Sequence, residues 1–287
     1  MQANIRGIII DVDGVIVGEK QGVNFPDPNP AVIERLKSIR AKGIPITLCT
    51  AKPHAAIQKV VVDAGLNNLH ITQGGGVVID PLDNVILKAH GIDKETAKHI
   101  LRICLDRGTY VEFYSPEAYF LQASQKSDIT PLHTSILGFE PTIVDSLIDE
   151  AEKHDIVKIM PIAKDDIDMT ELDQLLEPYK SGATVSWGSH PVALPRRFGI
   201  ITALGISKGQ AAAEVAEHEG AKPEELLGIG DSTMDWQFIE HCGYAGAMGN
   251  ASDELKRLVD TKGDKSFVGD SVDENGILSI LDYFGLA

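Results

Sequence analysis

The sequence predicts an α/β protein with a doubly wound, mainly parallel sheet that is interrupted by an α+β insertion. Up to about Asp80, short apolar runs alternate with helical patterns, an order typical of a parallel sheet with right-handed crossovers. The middle of the chain instead shows paired short strands separated by turns, and the strand–helix alternation resumes near Ser207. We therefore expect a Rossmann-like core formed by residues 1–82 and 191–287, with a cap domain inserted at residues 83–190.

Three buried strands are expected in the first part of the core. They are Gly7–Ile10, Ile44–Cys49 and Leu69–Gln73. The first of these strands ends at Asp11 and the second ends at Thr50. Between them, Asn29 followed by a proline marks the start of a helix, and Gly43 marks its end. A second helix is expected between Thr50 and Gly65.

The insertion is expected to combine helices with antiparallel strands. A helix that begins at Asp93 places its apolar residues on one stripe and ends at Gly108. Two hairpins are expected, one joining Tyr110–Tyr114 to Tyr119–Ala123 and one joining Val185–Trp187 to Val192–Leu194. The other expected elements are a helix at 143–153, a strand at Ile156–Ile162 and a helix that begins with the capping pattern Asp168–Glu171.

The last part of the core is expected to begin with a helix capped by Ser207. A strand at Leu226–Ile229 leads into Gly230 and Asp231, and another helix follows. A strand at Tyr244–Met248 and helices at 253–258 and 274–283 complete the expected core. Ligands of doubly wound sheets bind at the carboxyl ends of the strands, so the residues that follow the strands are the candidates for a functional site.

The composition limits the possible partners. The net charge is −16, from 26 basic and 42 acidic residues, and such a field repels polyanions. We therefore expect neither nucleic acid nor a membrane as a partner; the apolar stretch at 8–17 is also too short for a membrane span and contains two aspartates. The three cysteines show no CxxC spacing, which favours a reducing cytoplasm. The sequence leaves the oligomeric state open.

Acidic residues are concentrated at the ends of two predicted strands. Asp11 and Asp13 follow the first strand, while Asp231 and Asp235 follow the strand at 226–229. Carboxylates at the end of an apolar strand are costly unless a cation neutralises them. A single such aspartate is more often a helix cap or a solvated loop residue, but four that converge from two strand ends favour an oxygen-rich Mg²⁺ site.

The same residues carry a resemblance to a known family. The sequence contains four segments that resemble, in order, the four motifs of the haloacid dehalogenase superfamily: Asp11–Val15, Leu48–Thr50, Ser207–Gly209 and Gly230–Asp235. The segments Ala247–Ala251 and Val272–Ile277 are similar to the Cof-like phosphatase branch, which has a large α+β cap and includes phosphatases of the sugar-phosphate and phosphoglycolate type. The resemblance covers essentially the whole chain.

The resemblance implies a role for each motif residue. Asp11 is the expected nucleophile that forms an aspartyl-phosphate, and Asp13 is the expected general acid and base, for which the site must raise its pKa. Thr50 is expected to donate to the phosphoryl oxygens, and Lys208 is expected to pair with Asp11 and with the phosphoryl group. The other expected substrate-binding residues are Ala51, Lys52 and Asn250.

The resemblance also implies Mg²⁺ as the cofactor. The metal ligands are expected to be Asp11, Asp13 through its backbone carbonyl, and Asp231; Asp235 is expected to bind through water or to orient the others. The chain departs from the branch at Met234, where asparagine is usual, and at Ala51-Lys52, where Gly-Arg is usual. These departures concern metal affinity and substrate geometry.

The expected function is therefore that of a Mg²⁺-dependent phosphatase that hydrolyses a small phosphorylated metabolite. A sugar phosphate, a phosphoglycolate-like acid and a cofactor phosphate remain open as substrates. One alternative is a phosphotransferase or phosphomutase that uses the same aspartyl-phosphate. The other is a non-catalytic regulatory protein, which the intact Asp11, Asp13, Lys208 and Asp231 argue against.

Overall fold

The computed structural model describes residues 4–286. The strands, in chain order β1 to β14, are Gly7–Ile10, Ile46–Leu48, His70–Thr72, Val77–Asp80, Val85–Ala89, Tyr110–Tyr114, Tyr119–Gln122, Thr142–Val144, Lys158–Ala163, Ala183–Gly188, Arg197–Ala203, Leu226–Gly230, Tyr244–Ala247 and Ser266–Val268. The helices, α1 to α10, are Pro30–Ala41, Gln58–Ala64, Lys94–Arg107, Ile129–Leu137, Leu147–Ala151, Asp166–Leu176, Lys208–Glu219, Trp236–Ile239, Asp253–Asp260 and Ile277–Tyr283. Short 3₁₀ turns join several of them.

The core contains a five-stranded parallel sheet in the order β14-β13-β12-β1-β2. Its strands are short and apolar; β1 and β12 are buried along their whole lengths, as expected for strands covered on both faces. The pairing of Ile10 with Ile229 brings the residues that follow β1 and β12 to the same edge of the sheet. The predicted doubly wound parallel core is confirmed.

The cap contains a six-stranded sheet in the order β10-β11-β9-β6-β7-β8, antiparallel except between β7 and β8. Helix α3 begins at the Asp93 cap and ends at Gly108, as predicted. Its buried residues, including Ile100 and Leu101, pack in one cluster with Phe113 of β6. A smaller antiparallel sheet, β3-β4-β5, is formed by strands that follow β2 and precede the first cap strand in the sequence. An isolated bridge between Cys49, just after β2, and Ile71 of β3 links this sheet to the core sheet.

Two parts of the cap differ from the expected pattern. Residues 142–144 form strand β8 and the helix that follows is limited to 147–151, so the expected helix at 143–153 was too long. The partner of β10 is β11 rather than Val192–Leu194, which overlaps a 3₁₀ turn at Pro191–Ala193. Pro195 cannot donate to a sheet ladder, and β11 begins two residues after it, at Arg197.

The position of β11 bears on the limits of the cap. The expected division assigned residues 191–287 to the core, but β11 pairs with β10 and with β9 and thus lies in the cap sheet. We propose that the cap extends to Ala203 and that the core resumes just before α7. Among residues 4–286, no helix has the length and apolar character needed to cross a membrane.

Candidate active site

A cavity of about 680 Å³ lies between the carboxyl edge of the core sheet and the cap. The residues predicted for the site that line it are Asp11, Asp13, Thr50, Ala51, Lys52, Lys208, Asp231 and Asn250. Asp235, the remaining predicted site residue, does not line the cavity and is fully buried. The fold therefore collects residues from distant parts of the sequence around one cavity.

Three carboxylates form a cluster at the core end of the cavity. Asp11, Asp231 and Asp235 each offer an oxygen atom, and these atoms all lie within 4.8 Å of one another. The cluster arises because β1 and β12 are neighbours in the sheet and Asp235 turns back at the start of the next helix. The carboxylate of Asp13 is not part of this cluster, and its expected role as a metal ligand through the backbone carbonyl stays a prediction.

Lys208 is the cation that contacts the acidic cluster. It is the first residue of α7, whose start is fixed by the Ser207 hydroxyl accepting from the Gln210 amide at 3.2 Å. The Lys208 Nζ atom donates to Asp11 Oδ1 at 2.8 Å and to Asp235 Oδ1 at 2.7 Å. Because Lys208 is buried, these ion pairs are shielded from water and hold the lysine in one position.

Asp235 organises the loop that carries Asp231. Its Oδ2 atom accepts from the Asp231 amide at 3.1 Å and from the Ser232 amide and hydroxyl, each at 3.0 Å. Its other oxygen binds Lys208. Both oxygens of Asp235 are thus engaged within the protein, which favours the predicted orienting role over direct metal ligation.

The charge balance of the cluster fits a divalent cation. Burial and the neighbouring Asp235 raise the pKa of Asp11 to about 7, despite the attraction of Lys208. Burial raises the pKa of Asp231 well above its usual value, and Asp235 and Asp11 add to the effect. Lys208 alone is therefore insufficient to keep both Asp11 and Asp231 ionised. A hard divalent cation bound by carboxylate oxygens supplies the missing charge, so the residues fit Mg²⁺.

Asp13 has a different environment from Asp11. Lys52 Nζ donates to Asp13 Oδ1 at 2.7 Å, and His190 Nε2 lies 3.4 Å from the same oxygen. Burial opposes ionisation of Asp13, but the charges of Lys52 and His190 outweigh it and hold the pKa of Asp13 well below its usual range. The expectation that the site raises this pKa is therefore wrong for the protein without substrate, because it omitted Lys52 and His190.

The loop after β2 is held by backbone contacts. The Thr50 amide donates to Ile71 at 2.9 Å, and the Thr50 hydroxyl accepts from the Lys52 amide at 3.1 Å. The amides of Gln73 and Gly74 donate to the carbonyls of Lys52 and Thr50. The hydroxyl proton of Thr50 has no part in these contacts, which leaves it available for a phosphoryl oxygen in the cavity.

Asn250 joins two loops at the rim of the cavity. Its side-chain amide donates to the Gly14 carbonyl at 2.9 Å, and its Oδ1 atom accepts from the Val272 amide at 2.8 Å. Both polar atoms of the side chain are therefore used to fix the loop after β1. The predicted contact of Asn250 with substrate remains a prediction.

Lys158 is a residue near the site that the sequence reasoning did not single out. It lies at the start of cap strand β9, is fully buried, and donates from Nζ to the Ala51 carbonyl at 2.7 Å. The same Nζ atom lies 3.6 Å from the ring centroid of Tyr114. In the sequence, Lys158 appears as a single lysine within an apolar run. A lysine at a partly exposed end of a strand would give the same pattern, so the pattern alone does not indicate burial.

A buried polar group in the cap borders the cavity. The Glu112 carboxylate accepts from the hydroxyls of Tyr110 at 3.0 Å and Tyr114 at 2.6 Å, and lies 3.0 Å from His133 Nδ1. Burial opposes ionisation of Glu112, but His133 and the two hydroxyls hold the pKa of Glu112 below its usual value. His133 is the member of this group that lines the cavity.

Comparisons with known proteins identify relatives along the whole chain. The family described as haloacid dehalogenase-like hydrolases matches residues 8–281. The 5-amino-6-(5-phospho-D-ribitylamino)uracil phosphatase YwtE of Bacillus subtilis is 26% identical over 97% of both chains. The phosphatase YwpJ of the same organism is 24% identical over 88% of this chain and 92% of its own.

Solved structures show the same fold. The subclass IIB sugar phosphatase BT4131 of the haloacid dehalogenase superfamily superposes with a TM-score of 0.80 at 22% identity, covering 98% of this chain and all of its own. The phosphatase BT1666 from Bacteroides thetaiotaomicron superposes with a TM-score of 0.78 at 21% identity, covering 99% of this chain and 96% of its own.

Proposed function

The chain belongs to the haloacid dehalogenase-like hydrolase family and is a phosphoric monoester hydrolase of the Cof-like type; we propose that it hydrolyses a small phosphorylated metabolite with Mg²⁺ and an aspartyl-phosphate on Asp11. The observation that carries the proposal is the contact of Asp11 with Lys208 inside an acidic cluster that opens on the cavity. A buried lysine beside the nucleophile offers positive charge to the phosphoryl group.

In the first step of the proposed reaction, a carboxylate oxygen of Asp11 attacks phosphorus, and the bond from phosphorus to the ester oxygen breaks. Asp13 gives a proton to the departing alkoxide. Water then attacks the aspartyl-phosphate, Asp13 takes up the proton, and inorganic phosphate leaves. Bound Mg²⁺, held by Asp11, Asp231 and the Asp13 carbonyl, would neutralise charge on the phosphoryl oxygens.

The low pKa of Asp13 requires that its proton arrive after substrate. Lys52 keeps Asp13 ionised while the cavity holds no phosphate. A phosphate dianion bound beside them competes for Lys52 and repels Asp13, and both effects raise the pKa of Asp13. Lys52 therefore has two proposed roles, as a substrate ligand and as the group that sets the protonation of the general acid.

The substrate and the location of the protein are also part of the proposal. Two of the relatives are named for their substrates, YwtE as a 5-amino-6-(5-phospho-D-ribitylamino)uracil phosphatase and BT4131 as a sugar phosphatase, which supports a small phosphorylated metabolite as substrate. The net charge of −16 opposes binding to nucleic acid. The three cysteines are buried and unpaired, which supports a cytoplasmic location.

The test is a substitution of the proposed nucleophile. We expect Asp11→Asn to lower the release of inorganic phosphate from a panel of phosphate esters at least about a thousandfold, because a neutral amide cannot form the intermediate. Asp106→Asn, at an exposed position on α3, is the matched control and should keep the wild-type rate. Chelation of the metal should abolish phosphate release, and Mg²⁺ should restore it.

Three results would contradict the proposal. A variant at Asp11 that keeps a tenth of the wild-type rate would exclude the covalent route. Conversion of a sugar phosphate to an isomer without free phosphate would identify a phosphomutase. Failure to act on any ester, with or without added metal, would identify a non-catalytic protein.

A further inference from the structure

The cavity has two chemically different ends. Charged residues of the core, including Asp11, Lys52 and Lys208, line the end where the proposed chemistry takes place. The opposite end is formed by the cap, and the whole space measures about 680 Å³. This volume lies in the range of about 300–1,000 Å³ in which pockets enclose drug-sized ligands. A phosphoryl group with a two-carbon acid would leave most of it unfilled.

The cap end of the cavity has an apolar wall. We define this wall by six lining residues from five cap elements: Ile136, Leu137, Met160, Met169, Trp187 and Phe198. Two of the chain's five methionines belong to the wall, and Met234 lines the cavity from the core. Methionine is flexible and its sulfur makes favourable contacts with aromatic rings, so the wall is suited to a flat ring.

Two of the polar side chains at the cap end, Arg197 and His133, already have partners, whereas Nδ1 of His190, which lies beside Asp13, has no hydrogen-bond partner among the described residues. Arg197 makes a two-point contact with Asp166, at 2.6 Å from Nε and 3.1 Å from Nη2. His133 is bound to Glu112 through Nδ1. The hydroxyls of a bare sugar packed against the apolar wall would lose hydrogen bonds to water without gaining any from the wall residues, since the indole N–H of Trp187 already donates to Asp173. An apolar surface packed against the same wall has no hydrogen bonds to lose.

We propose that the leaving group of the physiological substrate carries an aromatic or heteroaromatic ring that packs on the apolar wall. The inference rests on the proposed function, because it places the phosphate at Asp11 and the remainder of the ester under the cap. It selects among the open substrate classes: ring-bearing cofactor and nucleotide phosphates are favoured over simple sugar phosphates and phosphoglycolate-like acids.

The test compares esters that differ by the ring alone. Ribitol 5-phosphate and riboflavin 5′-phosphate form one pair, and ribose 5-phosphate and uridine 5′-phosphate form another; within each pair the phosphate is on the same primary carbon. We expect kcat/KM to be at least about tenfold higher for the ring-bearing member of at least one pair. Equal or higher values for both ring-free members would overturn the inference while leaving the phosphatase intact.

A substitution in the wall links the preference to the cavity. Met169→Gln keeps the length of a half-buried side chain and makes it polar, so it should lower the ratio of the two kcat/KM values several-fold. Leu175→Gln is the matched control, because Leu175 is on the same helix, is exposed and does not line the cavity. An unchanged ratio in Met169→Gln would contradict the proposed ring position.

A binding measurement separates failure of the ring inference from failure of the proposed function. Calorimetric titration of Asp11→Asn with each ester measures affinity without turnover. Tighter binding of the ring-bearing ester would support the apolar wall even if the wild type hydrolysed none of the four compounds. Equal affinity within both pairs would overturn the ring inference, whatever the catalytic result.

Discussion

Replacing Lys158 with methionine removes a charge that the fold buries completely. The Lys158 side chain has no exposed surface, and its Nζ atom contacts the Ala51 carbonyl and the Tyr114 ring. Burial lowers the pKa of Lys158 from its ordinary 10.5 to about 7, against the attraction of Glu112. Methionine has a similar length and no charge, so Lys158→Met tests how strongly this burial acts on stability.

The sign of the effect follows from proton linkage. Between pH 7 and 10.5, the unfolded chain holds a proton on Lys158 that the folded protein has lost. The wild-type free energy of unfolding therefore rises with pH in this window, by about 1.4 kcal/mol per pH unit from this residue. Between pH 7 and pH 9 this contribution grows by about 2 kcal/mol, because the folded lysine is still half protonated at pH 7. The Lys158→Met variant lacks this pH-dependent contribution to the free energy of unfolding.

The assay is urea unfolding of wild type and variant at pH 6, 7, 8 and 9. The stability of Lys158→Met relative to wild type should be highest at pH 6 and should fall by about 2 kcal/mol between pH 7 and pH 9. Loss of the contact to the Ala51 carbonyl lowers the variant's stability by about 1–3 kcal/mol at every pH. Lys164→Met, an exposed residue just after β9, is the control. Parallel curves for wild type and Lys158→Met would refute the reasoning.

Two further predictions concern the catalytic residues. Lys52→Met breaks the 2.7 Å contact with Asp13 and removes a positive charge from the cavity, so kcat should fall about a hundredfold and KM should rise. Steady-state kinetics measure both constants: an unchanged kcat would contradict the role of Lys52 in setting the protonation of Asp13, and an unchanged KM would contradict its role as a substrate ligand. Asp235→Asn weakens the anchor of Lys208 and of the loop that carries Asp231, so it should cost about 3–5 kcal/mol in unfolding free energy. Thermal unfolding measures this loss, and an unchanged Tm would show that Asp235 is not a structural anchor.

The residues at strand ends were predictable because strand geometry restricts where they can go. Asp11 and Asp231 each follow a short apolar run, and parallel neighbours in a sheet end at the same edge. Their convergence thus needed only the correct fold class. The contact of Lys208 with Asp11 was expected from the motif order alone and is present in the structure.

The parts that the sequence did not predict depend on contacts between distant segments. Strand β11 was missed because its pairing with β10 begins only after Pro195, behind two arginines that hide the apolar pattern. The low pKa of Asp13 arises from Lys52, with a contribution from His190, which a turn in the cap brings beside it. Lys158 is an unremarkable strand residue until β9 packs against the loop at Ala51.

The pairing of β1 with β12 has a consequence for synthesis of the chain. Gly7 of β1 pairs with Leu226 of β12, which lies 219 positions later in the chain. One edge of β1 therefore has no partner until β12 has been synthesised. At about 5–20 residues per second, translation needs roughly 10–40 s to supply that partner. During this interval a ribosome-bound chain can pair β1 with β2 and complete the cap strands, while an apolar edge stays open to mispairing. Enzyme activity therefore cannot appear before residues 226–230 have been made and paired with β1.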